Sequence, residues 1–71
     1  MTKEVFLSKM QEEVLDTEDV ISMDTRLEDV DWDSLAFVSF IAMANTSAGV
    51  KVDRAALKKA TTVGELYNLL Q

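Results

Sequence analysis

The chain has 71 residues with 13 acidic and 7 basic side chains, a formal net charge of -6, and no cysteine, histidine or proline. That length supports one small core, a single domain over residues 1–71, and the lack of cysteine excludes disulfides and thiolate-bound metals as reinforcement. The acidic balance excludes phosphate-backbone binding and with it nucleic acid as a partner, while the longest uncharged stretch, residues 34–50, is interrupted by Ser39, Asn45, Thr46, Ser47 and Gly49 and falls short of the roughly 20 apolar residues of a membrane span.

The apolar residues recur at helical spacing, and the pattern predicts an all-α fold: a small four-helix bundle with a long loop between helices 1 and 2 and a short third helix. The first helix is expected over residues 3–15, where Phe6, Met10 and Val14 repeat every four residues with Leu7 beside them. Residues 16–33 are dense in Asp, Glu, Ser and Thr and read as an ordered loop. Val20, Ile21, Met23, Leu27 and Val30 are its expected anchors to the core, and Trp32 is read as a loop side chain covering the core edge.

Asp33 is placed to cap the second helix, in which Phe37, Phe40, Ile41 and Ala44 form the expected core face and Leu35, Val38, Ser39, Ala42 and Thr46 the opposite one. Gly49 ends the following connection, and Val50-Lys51-Val52 alternates like a strand but is too short to hold a sheet. Asp53 caps a short third helix, Arg54–Lys59, with Leu57 turned inward. Thr62 and Glu65 form a capping box that starts the fourth, whose buried stripe is Val63, Leu66, Leu69 and Leu70.

Charge is divided along the chain. Residues 1–33 hold eleven acids against Lys3, Lys9 and Arg26, whereas residues 34–71 hold only Asp53 and Glu65 against Lys51, Arg54, Lys58 and Lys59. The division suggests two faces that meet different neighbours, although the basic cluster itself reads as a solvated surface. The start of the chain, Met1-Thr2-Lys3-Glu4, meets an acid before any apolar run, which points away from a secretory signal and toward the cytoplasm.

The side-chain inventory argues against catalysis. Without His or Cys, neither Ser-His-Asp nor Cys-His chemistry can be assembled within the chain, and a carboxylate-based hydrolase would need a cleft that so short a chain has little room to build. Asp29, Asp31 and Asp33 reproduce the opening of a calcium loop, but the turn glycine would fall at Ser34 and the closing glutamate at Phe40, so no metal is expected. Ser34 stands out because it follows Asp33 at the very start of a helix. There a hydroxyl is exposed, and free amides with the positive end of the helix dipole favour a phosphate attached to it. Taken alone, Asp-Ser at a helix start is more often an ordinary cap.

Three runs decide between these readings. Asp24-Thr25-Arg26-Leu27-Glu28-Asp29-Val30-Asp31-Trp32-Asp33-Ser34-Leu35 resembles the acyl carrier protein segment in which a Leu-acid-acid-Leu-Gly stretch leads into Asp-Ser-Leu. Gly49-Val50-Lys51-Val52 resembles the family's Gly-Ile-x-Ile connection, and Thr61-Thr62-Val63-Gly64-Glu65-Leu66 resembles its Thr-Thr-Val-Gly-Asp-Leu entry to the last helix. The three occur in order and at the family's spacing, and with the helical layout they cover nearly the whole chain. The resemblance implies 4'-phosphopantetheine attached to Ser34 by a separate phosphopantetheinyl transferase, with Asp33 and Leu35 helping that enzyme dock. It implies a non-enzymatic, monomeric carrier that presents acyl groups as thioesters to acyl-loading and acyl-processing enzymes.

The departures from the family pattern are also informative. In most members the exposed face of the second helix carries acids, but here Ser39 stands where a glutamate is usual and Ala36 where an acid is common, and Leu35, Val38 and Ala42 offer an apolar surface. Val38, Ser39 and Ala42 are therefore the expected partner contacts. Asp31 replaces the glycine before the serine, and the usually acidic third helix has Arg54, Lys58 and Lys59. These changes point to a specialised fatty-acid or secondary-metabolite type of carrier. The competing readings are an aminoacyl, D-alanyl or peptidyl carrier, the last usually marked by a Gly-Gly pair that Asp31-Trp32 does not provide, and an unmodified helical adaptor.

Overall fold

A computed structural model of the chain describes residues 1–70. Thr2 opens the first helix by accepting from the Val5 N–H at 3.3 Å. Helix α1, Lys3–Lys9, then passes directly into a π-helical turn over Met10–Val14. The helix expected over residues 3–15 is present in extent, but its second half is wound more widely: the Leu15 N–H donates to the Met10 carbonyl, five residues back, at 2.8 Å. The wider turn brings Val14 and Leu15 together into the core with Phe6 and Met10. Asp16, at φ 48°, leads the chain out of the helix through the left-handed region that Asp tolerates better than most residues.

The segment over residues 16–33 contains one short 3-10 turn, Leu27–Asp29. Ile21 and Leu27 are buried, and Met23 and Val30 pack against the core partly exposed. Val20, expected as an anchor, is 92% exposed and anchors nothing. Its neighbour Ile21 takes the inward position, and in an extended stretch successive side chains point to opposite sides. The loop is held by its backbone as well. Around an antiparallel bridge between Arg26 and Thr62, the Leu27 N–H donates to Thr61 O at 2.9 Å, the Val63 N–H to Thr25 O at 2.9 Å and the Gly64 N–H to Met23 O at 2.8 Å.

Helix α2, Ser34–Ala48, ends at Gly49, whose φ of 64° is the left-handed conformation in which helices commonly stop. Its fully buried residues are Ala36, Phe40, Met43 and Ala44, while Phe37 and Ile41 are only partly buried. The core face is thus rotated from the one expected on Phe37, Phe40, Ile41 and Ala44, and Ala36 lies inside rather than on the exposed face. An uncharged helix with apolar residues nearly all round gives periodicity little to separate one face from another.

Helix α3, Arg54–Lys59, is capped by Asp53, which accepts from the Ala55 N–H at 3.1 Å, and contributes Leu57 to the core. Helix α4, Val63–Asn68, carries the expected capping box and buries Val63 and Leu66. Leu69 and Leu70 follow its end and are half-buried, a weaker contribution than a fully buried stripe would make. Residues 50–52 form no strand. Phe6 sits at the centre, edge-on to Phe40 at 6.4 Å and to Tyr67 at 5.1 Å between ring centroids. Such pairs add about 0.5–1.5 kcal/mol to the ~1.5–3 kcal/mol of burying each ring. The Tyr67 hydroxyl also donates to the Met1 carbonyl at 3.1 Å, tying the start of the chain to α4.

Candidate functional site around Ser34

The entry to α2 is built by two adjacent residues with different tasks. Trp32 lies against Phe37 at 6.3 Å and against Phe40 at 6.1 Å between centroids, which anchors the end of the loop on the side of the helix. Asp33 then caps the first turn, its Oδ1 accepting from the Ala36 N–H at 2.9 Å. Because Asp33 takes the capping role, the Ser34 side chain is not used in it. Ser34 is the first residue of the helix and is exposed. The amides of Ser34 and Leu35, in the first turn, have no acceptor within the helix.

An open groove of about 440 Å³ adjoins this hydroxyl, lined by Trp32, Asp33, Ser34, Phe37, Val38 and Lys58. Its walls are largely apolar. The helix supplies no charge of its own, since no residue from Ser34 to Ala48 is ionisable. The one cation in the lining, Lys58, comes from α3.

Of the residues expected at the site, Ser34, Asp33 and Val38 share the groove. Leu35 is 75% exposed and Val38 60% exposed, and together with the exposed Ala42 they leave an apolar surface along α2. Ser39 is half-buried. Ala36, counted with the exposed face from its position in the family pattern, is buried beneath the cap. By composition Lys58 belongs to a solvated basic cluster, and its spacing gives no sign that it lines a groove with Ser34. Only the packing of α3 against the start of α2 brings them together. Asp29, Asp31 and Asp33 do not converge, and among the described residues no group of three or more potential ligands is placed to hold a metal ion.

These features are what a phosphodiester on a serine requires: an accessible hydroxyl, unpaired amides at a helix start and room beside it. The family model described as the phosphopantetheine attachment site matches residues 6–70. The chain belongs to this family. No curated protein and no solved structure matches it. Domains of the phosphopantetheine attachment family carry 4'-phosphopantetheine covalently and are not themselves catalytic. Transferases and enzymes that use the carried group are their partners in general. Among the described residues no helix is long and apolar enough to cross a membrane.

Proposed function

We propose that residues 1–71 form a single acyl carrier domain, modified on Ser34 and acting as a monomer in the cytoplasm, where coenzyme A is available to it. The observation that carries this reading is the exposed Ser34 at the first turn of α2, beside an Asp33 that supplies the cap in its place. When attached, 4'-phosphopantetheine supplies a flexible arm ending in a thiol on which an acyl group is held as a thioester.

The chain's own part in attachment is to supply the nucleophile. Ser34 Oγ attacks the phosphorus of coenzyme A that bears the pantetheine, the Oγ–P bond forms, the pyrophosphate P–O bond breaks and adenosine 3',5'-diphosphate leaves. The serine proton passes to a base of the transferase, which also supplies the metal. The free amides at the start of α2 then favour the new negative charge.

Leu35, Val38 and Ala42 provide a docking face without charge, with Ser39 at its edge, so partner enzymes dock mainly by apolar contact. This favours a specialised fatty-acid or secondary-metabolite type of pathway with dedicated partners. Asp31-Trp32 in place of a Gly-Gly pair favours acyl over peptidyl cargo. The test is co-expression with a promiscuous phosphopantetheinyl transferase followed by intact mass. A gain of one phosphopantetheinyl group that is lost in Ser34→Ala is expected; a wild-type chain that stays unmodified would favour an unmodified adaptor instead.

A further inference from the structure

We propose that Lys58 is the counter-ion of the phosphodiester on Ser34, and that the groove it shares with Trp32, Phe37 and Val38 holds the first part of the attached arm against the protein surface between encounters with partners. The inference rests on the assignment of Ser34 above and adds a residue from a different helix to that site.

Charge makes the case. A phosphodiester adds one negative charge to a chain of net charge -6, in a groove that already contains the Asp33 carboxylate. The Asp33 carboxylate is engaged by the Ala36 N–H, and α2 offers no side-chain cation of its own. Lys58 is the cation in that lining. The two ion pairs among the described residues, Lys9–Glu13 and Arg26–Glu28, leave Lys58 unpaired. Lys58 sits in the last turn of α3, where its charge complements the carbonyl end of that helix and its exposed stem can swing within the groove. The walls of the groove match the rest of the ligand, because Trp32, Phe37 and Val38 present rings and methyl groups to the branched, apolar carbons that follow the phosphate.

Trp32 is the single tryptophan of the chain, so its fluorescence reports on this groove directly. The experiment compares the apo and modified forms of the wild type, Lys58→Gln, Lys58→Arg and Lys59→Gln, using acrylamide quenching of Trp32 and the ³¹P resonance of the phosphodiester. Modification of the wild type is expected to protect Trp32, and added salt to reduce the protection. Lys58→Gln is expected to lower the ratio of docked to free arm by about 1.5- to 5-fold, the range of an exposed ion pair, while Lys58→Arg and Lys59→Gln retain it. A modified wild type whose Trp32 quenching and ³¹P shift match those of modified Lys58→Gln would overturn the role of Lys58 and leave the assignment of Ser34 standing. Intact mass separates the two failures: a chain that takes no phosphopantetheinyl group overturns both.

Discussion

Glu65 shows how one side chain can hold the junction between two elements. One carboxylate oxygen accepts from the Thr61 N–H, from the Thr61 hydroxyl at 2.8 Å and from the Thr62 N–H at 3.1 Å, while the Glu65 N–H donates back to the Thr62 hydroxyl at 3.2 Å. These donors, the Thr61 backbone first, favour the ionised form and hold the Glu65 carboxyl below its ordinary value. A depressed carboxyl contributes stability that is present above its unfolded value of about 4.3 and is lost as pH falls through the lower folded value. Melting temperatures of wild type and Glu65→Gln are therefore expected to differ by a constant amount above about pH 5 and to converge as the pH falls through the lowered folded value. A difference that persists unchanged in acid would show that the ionised carboxylate is not what the capping box uses.

At the scale of elements, the junction of the long loop with α4 depends on a close approach that only a glycine allows. A Cβ on Gly64 would lie 2.9 Å from the Met23 carbonyl oxygen, the same oxygen to which the Gly64 N–H donates. Backbone cannot move aside as a flexible side chain would. Gly64→Ala is expected to destabilise the fold by about 1–3 kcal/mol, measured by urea unfolding, with the backbone amides of Gly64 and Val63 losing protection against hydrogen exchange. The glycine of the Thr-Thr-Val-Gly run thus has a structural reason in this chain. It lets the start of α4 sit against a loop that has little regular secondary structure of its own.

The whole molecule combines a core centred on Phe6, Phe40 and Leu57 with an exposed α2 face, beyond Ser34, that has no ionisable side chain. Docking through Leu35 and Val38 is expected to be insensitive to salt, with affinity for a transferase changing by less than about threefold up to about 0.5 M salt. Val38→Ser is expected to weaken binding by about fivefold, the effect of losing a central apolar contact, as measured by calorimetry at either salt concentration. Much of this architecture was legible from residue order alone. Caps, the capping box and helical spacing act within four residues, so Asp33, Asp53 and the Thr62–Glu65 pair place the helix starts, and with them the position of Ser34. Contacts between elements far apart in the chain were not legible. The face of α2 that enters the core, the outward turn of Val20, the Gly64 approach to Met23 and the place of Lys58 beside Ser34 all depend on how helices dock. The local sequence determined that a serine would stand at the head of a helix, because capping is a short-range interaction; tertiary packing decided which charge and which rings would surround it, because those come from other parts of the chain.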